Sequence, residues 1–287
     1  MSKVRIVADS TCDLSAQLIA ENNITIIPLC IVMDGKSYYD GEDITPEEIY
    51  RWADANKTTP GTAAITFEYL EKSLRPMMED GDEIVFIGIS TDMSTTCNVV
   101  RLFAEQNDYD KVYIVDSASL STGIGLQVLK AAEMTKEGLS GKDIADRLTE
   151  ARGRVRASFI VDTLTYLARG GRCKSITAVF ANALKIHPMI AVKNGAMVVD
   201  KKYRGNMNLA MERYMNDLKE ELLTAEPKRV FITHSICDME LRTKAREFLE
   251  SLNYFEEILD TDAGGVISSH CGPNTIGILY YVKENTN

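Results

Sequence analysis

The 287-residue sequence has little of what usually announces a chemistry. Its six cysteines (Cys12, Cys30, Cys97, Cys173, Cys237, Cys271) are scattered with no C-x-x-C pair, and it has three histidines. Zinc sites and dithiol redox motifs need closely spaced ligands, so no metal is expected, and buried thiols in a reducing compartment account for the cysteines. No apolar run reaches the roughly 18–20 residues of a membrane span. The start, Met-Ser-Lys-Val-Arg-Ile-Val-Ala-Asp-Ser, enters a strand-like segment at once and does not read as a signal peptide, which predicts a cytoplasmic protein. No G-x-x-x-x-G-K-[ST] loop for nucleotide phosphates is present. Ser90 and Ser94 lack a G-x-S-x-G elbow, and Gly123-Ile124-Gly125 falls inside an apparent helix rather than in a dinucleotide fingerprint. The net charge of −10 argues against a general nucleic-acid binder, whose affinity comes from neutralising phosphates.

What is present is a globular composition, 45% hydrophobic and 26% charged, with β-branched runs alternating with helical patterns. Val4–Ala8, Ile24–Met33, Ile84–Ile89 and Val112–Val115 read as strands, and Ser15–Glu21, Pro46–Ala55, Phe67–Glu79 and Ser94–Gln106 as helices. That βαβα order predicts an α/β fold with a mostly parallel sheet. Thr45-Pro46-Glu47-Glu48 carries an N-cap, a first-turn proline and acids facing the helix dipole. A further helix is expected over Ser140–Arg152, after which the pattern changes. Ser158–Val161, Met189–Val192, Met197–Val199, Val230–Thr233, Ile258–Leu259 and Thr275–Val282 read as strands, and Asn206–Leu223 and Met239–Leu252 as helices. Asn194-Gly195 is a strong hairpin signal. We expect two domains, an N-terminal α/β domain over 1–155 and a C-terminal α+β domain over 156–287.

Charge is unevenly spread. From Arg152 to Arg204 there are eleven basic residues (152, 154, 156, 169, 172, 174, 185, 193, 201, 202, 204) against Asp162 and Asp200. This window of +9 in a chain of −10 leaves −19 for the rest. It is either a solvated face or a surface for an anion or an acidic partner.

Several polar clusters fall between predicted elements, most of them at strand ends, where open α/β sheets bind ligands. They are Asp9-Ser10-Thr11 with Asp13, Lys57-Thr58-Thr59-Pro60-Gly61-Thr62, Ser90-Thr91-Asp92-Met93-Ser94-Thr95-Thr96, and Ser268-Ser269-His270-Cys271-Gly272-Pro273. For the first, a helix cap is the favoured reading. The next two enter helices, whose unpaired amides and partial positive charge suit a carboxylate or phosphate. His270 sits in a Gly/Pro-bounded loop, whereas His187 and His234 have structural readings.

These clusters, in this order, resemble the DegV family. The match runs through Asp9-Ser10-Thr11-Cys12-Asp13-Leu14, Pro28-Leu29, the hydroxyl loop Thr58–Thr62, Thr91–Thr96, Asp116-Ser117 and Ser121-Thr122-Gly123. It continues through Asp162-Thr163-Leu164-x-Tyr166-Leu167-x-x-Gly170-Gly171-Arg172, the most specific stretch, to Arg204-Gly205 and His270-x-Gly272-Pro273. Two departures stand out: the hydroxyl loop is Thr-Thr-Pro-Gly-Thr, without the usual Gln and Ser, and Thr95 replaces a customary glycine.

The resemblance implies a binding subunit that is not itself an enzyme and needs no cofactor. A long-chain fatty acid of about C14–C18 would lie buried, its carboxylate near the domain junction on Thr58 or Thr59, Ser94 and His270. A separate ATP-dependent fatty acid kinase subunit would make the acyl phosphate for phospholipid synthesis, with Arg204 and His270 beside the phosphoryl group. Burying the roughly fourteen CH₂ groups of a sixteen-carbon chain gains about 11 kcal/mol gross, before several kcal/mol of ordering cost. Two other functions fit the same residues: a self-sufficient acyl hydrolase using Ser94 with His270, and a lipid sensor without a kinase.

Overall fold

The computed structural model describes residues 3–176 and 186–284, so Lys185 of the basic window lies outside the described residues. The chain opens with β1 (Val4–Asp9), which pairs in parallel with β2 (Thr25–Ile27) on one side and β6 (Glu83–Gly88) on the other; β6 pairs in turn with β7 (Val112–Asp116). All four strands are parallel, in the order β2-β1-β6-β7. Successive side chains alternate between faces, and both faces are buried. Ile6, Ala8, Val85 and Ile87 enter one core with α5 (Thr122–Lys136) and α6 (Gly141–Ala151). Val7, Ile84 and Phe86 enter another with α2 (Pro46–Asn56), α3 (Phe67–Glu79) and α4 (Thr96–Gln106). Helix starts obey their capping chemistry. Ser15 accepts from Leu18 N–H ahead of α1 (Ala16–Glu21), Ser140 accepts from Asp143 N–H, and Thr45 forms a full capping box with Glu48.

The second sheet is six-stranded and mixed, in the order β10-β9-β8-β13-β11-β12. Its strands are β8 (Val155–Ile160), β9 (Ile186–Lys193), β10 (Ala196–Arg204), β11 (Ala225–His234), β12 (Glu257–Asp262) and β13 (Ile276–Val282). One face packs Ile160, Val230, Ile232 and Ile278 against α8 (Met207–Leu222) and α9 (Met239–Ser251). The other face sends Ala157, Phe159, Phe231 and Leu279 into the core that the first sheet shares. Helix α5 lies between the two sheets and is buried nearly all round, as an apolar helix in a protein centre must be. The halves before and after residue 155 therefore share one continuous core.

Three features differ from the sequence reading. Ile24–Met33 is two strands, because Pro28 offers no N–H to a ladder; β2 ends before it and β3 (Cys30–Met33) begins after it. Strand β3 builds a small antiparallel sheet, order β4-β3-β5, with β4 (Lys36–Tyr39) and β5 (Gly61–Ala63). Two short helices, α7 (Thr165–Gly170) and α10 (Gly265–Cys271), were not evident, and His270 lies on α10 rather than in a loop. Val266 and Ile267 are β-branched and two serines follow, a composition with weak helix propensity that only packing stabilises. The Asn194-Gly195 turn joins β9 to β10 as expected, with φ of 51° and 83°, both in the left-handed region a two-residue hairpin requires.

Candidate functional site

Strand β1 is followed in sequence by β2 on one side and flanked by β6 on the other, so the sheet's direction of build reverses between β1 and β6. Ligands of open α/β sheets bind beyond the carboxyl ends of strands at such a point. A cavity of about 480 Å³ lies there, within the usual range for small-molecule sites. From the first half it is walled by Leu29, Thr62, Ile89, Met93, Ser94 and Leu120 among others. From the second half come Arg172, Met197, Val266, Ile267, His270 and Cys271. Met197 is delivered by the β9–β10 hairpin, whose tip is pinned to the first half by Ser90 Oγ donating to Gly195 O at 2.7 Å.

The wall is largely apolar, and its polar residues are Thr62, Thr91, Asp92, Ser94, Thr95, Arg172 and His270. Thr62 is fixed by β5, where it pairs with Ile31, and its Oγ1 lies 2.8 Å from His270 Nε2. Ser94 ends the loop after β6; its Oγ accepts from Thr96 N–H at 3.3 Å and lies 2.9 Å from Thr96 Oγ1, at the first turn of α4. Burial, reinforced by the charge of Arg172, pushes the His270 pKa down to about 4. The imidazole is therefore neutral at physiological pH, with one ring nitrogen protonated. Its Nδ1 is buried and has no hydrogen-bond partner among the described residues. The ring fits against α7 only because residue 170 is glycine: a Cβ there would overlap Nδ1. Gly170 thus has a steric reason for its place before Arg172, which donates from Nη1 to Gly170 O at 2.8 Å.

The predicted residues divide in two. Ser94 and His270 share the cavity, while Thr58 and Thr59 are not among its lining residues. The chain turns at Lys57 (φ 53°) and passes Pro60 before β5 presents Thr62, so the hydroxyl of this loop that faces the cavity is three or four residues later than expected. Arg204 is exposed at the end of edge strand β10 and outside the lining; the arginine on the cavity is Arg172. Of the basic window, Arg152, Arg154, Arg156, Lys193 and Lys201 pair with Asp116, Glu226, Glu221, Asp200 and Asp217. Arg169, Arg172, Lys174, Lys202 and Arg204 have no acidic partner within salt-bridge distance among the described residues. The Asp9 cluster is a cap, as favoured: Asp9 accepts from Thr11 N–H at 3.0 Å at the start of a single 3₁₀ turn. Nothing in the sequence pattern marked Leu29, Met197 or Ile267 as cavity walls. Among the described residues no group of three or more His, Cys, Asp or Glu is placed to hold a metal ion, and no helix is long and apolar enough to cross a membrane.

Comparison with known proteins is consistent over nearly the whole chain. Residues 3–283 match the family model described as "Uncharacterised protein, DegV family". A DegV domain-containing protein of Clostridium perfringens is 30% identical over 287 residues, covering 99% of this chain and 100% of that protein. The structure of a DegV family protein from Thermus thermophilus, described by its fatty acid binding, superposes with a TM-score of 0.86 at 27% identity, covering 98% of this chain and 100% of the other. A stearic acid-binding protein from Eubacterium ventriosum superposes with a TM-score of 0.81 at 26% identity, with 99% of both chains covered.

Proposed function

The chain belongs to the DegV family, and from that premise we propose that it binds one long-chain fatty acid, of about C14–C18, in the cavity between its two halves. The observation that carries this reading is the composition of that cavity. Leu29, Ile89, Met93, Leu120, Met197, Val266 and Ile267 line it, and among its polar lining residues, which also include Thr91, Asp92, Thr95 and Arg172, we assign the carboxylate to Thr62, Ser94 and a neutral His270. A carboxylate cannot be buried without donors. When His270 Nε2–H donates to Thr62 Oγ1, the Thr62 hydroxyl proton is left to donate to a ligand oxygen. Ser94 can donate in the same way by turning from Thr96. The acyl chain then lies along the apolar wall.

Within the same proposal the protein is a carrier located in the cytoplasm. It offers the carboxylate to a separate ATP-dependent kinase subunit, and the acyl phosphate formed feeds phospholipid synthesis. Arg172 at the cavity and Arg204 at the end of β10 stand as the basic groups nearest this role. Two domains, 1–155 and 156–287, hold the ligand between them. The hydrolase alternative gains nothing from the geometry: His270 Nε2 faces Thr62 rather than Ser94, and among the described residues no carboxylate orients its Nδ1.

Mass spectrometry of lipid extracted from natively purified protein tests the reading, together with thermal shift on adding palmitate. The expected result is one fatty acid per chain and a raised melting temperature. Polar metabolites or no ligand, with no palmitate shift, would overturn it.

A further inference from the structure

The Asp9–Asp13 cluster contributes no lining residue to the cavity, yet its hydrogen bonds reach both walls. Asp9 Oδ2 accepts from Ile89 N–H at 2.8 Å, fixing the end of β6 from which the Ser94 loop departs. Ser10 Oγ accepts from Leu29 N–H at 3.2 Å and donates to Asp40 Oδ2 at 2.8 Å. Asp40 Oδ1 accepts from Gly265 N–H at 2.7 Å. Asp13 Oδ2 accepts from Ser121 Oγ at 2.6 Å, and its Oδ1 accepts from Gly264 N–H at 2.9 Å. Two carboxylates from different parts of the chain thus hold successive amides where α10 begins.

We propose that Asp13 and Asp40 are positioning residues for His270: as a two-point clamp on the first amides of α10, they set where the imidazole meets Thr62. The helix has seven residues and is about 10 Å long, too short to be stable without outside contacts. A single hydrogen bond would let it pivot; two adjacent bonds to separate carboxylates fix both its tilt and its rotation. Any displacement at Gly265 is carried along a rigid element to His270, five residues on.

The clamp is built rather than incidental. Asp13 and Asp40 are 5% and 4% exposed, so neither is an ordinary solvated cap. Burial raises both carboxyl groups from their ordinary value, Asp13 well above it, and the donors on each oppose that shift. Their oxygens accept from the amides at the partial positive end of α10. Glycine at 264 and 265 is what permits the approach: a Cβ on Gly265 would come 2.8 Å from Asp40 Oδ1 and 2.7 Å from Ile31 Cδ1. Neither aspartate touches the cavity, so both act through the helix.

This inference deepens the fatty-acid reading and rests on it for its ligand readout. The test compares wild type with Asp40→Ala, Asp40→Asn and Ser10→Ala. Two quantities are measured: the affinity for palmitate relative to hexadecan-1-ol, and the ¹⁵N ring resonances of His270 in unliganded protein. Asp40→Ala is expected to lose about tenfold of the preference for the acid, the size of one charge-assisted hydrogen bond, and to shift the His270 resonances. Asp40→Asn, whose side-chain carbonyl still accepts from Gly265, restores both. Ser10→Ala loosens Asp40 without removing it, moves both readouts the same way by less, and decides the matter should Asp40→Ala not fold. Unchanged His270 resonances and acid preference in the folded variants would overturn the clamp. So would equal weakening of acid and alcohol, which is the mark of a general packing defect. Absence of palmitate binding by wild type would instead sink the fatty-acid reading, and the His270 resonances would still decide the clamp.

Discussion

Thr62 Oγ1 and His270 Nε2 meet at 2.8 Å although 208 positions separate the two residues. The contact joins the small antiparallel sheet of the first half to the short helix that follows β12, and both residues line the cavity. Its chemistry depends on the imidazole staying neutral.

His270 should titrate in the folded protein near pH 4 rather than at its ordinary 6.5, read from its ring resonances in an NMR pH series. A depressed pKa contributes stability that is fully present above pH 6.5 and lost as pH falls towards 4, by at most about 3 kcal/mol. Asp9 acts oppositely: burial raises it from 3.8 to about 6, so its contribution is fully present below pH 3.8 and is lost as pH rises to about 6. The difference in unfolding free energy between wild type and His270→Gln, followed from pH 7 to pH 4, isolates the histidine. Arg172→Ala should move the His270 pKa upward by removing a nearby positive charge. A His270 midpoint near 6.5 in wild type would refute the buried, neutral imidazole.

Gly170→Ala should displace His270 while leaving the sheets intact. The added Cβ falls where Nδ1 now sits, and the ring must swing away from Thr62. We expect palmitate affinity to drop about tenfold or more, in line with loss of a charge-assisted donor network. The check is calorimetric titration with a circular dichroism control. Wild-type affinity in the folded variant would mean that the ring is not held as described.

Ser94→Ala and Thr62→Val should each cost about 1.5–3 kcal/mol of palmitate binding, since each removes a hydrogen bond to a buried charge. Thr58→Ala and Thr59→Ala, outside the cavity wall, should stay within about 0.5 kcal/mol of wild type. Competition binding against a fluorescent fatty acid measures all four. The reverse ranking would place the carboxylate on the earlier part of the loop.

Arg204→Ala should keep its bound fatty acid yet fail in acyl-phosphate formation with the kinase subunit. The residue is exposed and off the cavity, so its charge is available to a partner or to the transferring phosphoryl group. Association of carrier and kinase should also slow as salt rises. Full turnover by Arg204→Ala, with salt-independent association, would leave the basic window an ordinary solvated face.

Much of the fold was legible because the signals that shape it are local. The apolar, β-branched runs of Val4–Ala8 and Ile84–Ile89, the caps at Ser15, Thr45 and Ser140, and the Asn194-Gly195 turn each act within a few residues of chain. Each therefore means the same thing in the sequence and in the folded protein. The ordered polar clusters also placed Ser94 and His270 among the site candidates. Sequence pattern did not distinguish Thr62 from Thr58 and Thr59, because three hydroxyls in one loop carry equal local signals. The turn at Lys57 and the pairing of Thr62 with Ile31 decide which one faces inward. Helix α10 was hidden for a related reason: its residues have weak intrinsic propensity, and buried partners more than 200 positions away in sequence fix it. The local pattern of apolar runs and helical spacings set which elements form. Long-range packing of two sheets about α5 determined which side chains meet, since that depends on loop closure and shape complementarity that no short window of sequence contains.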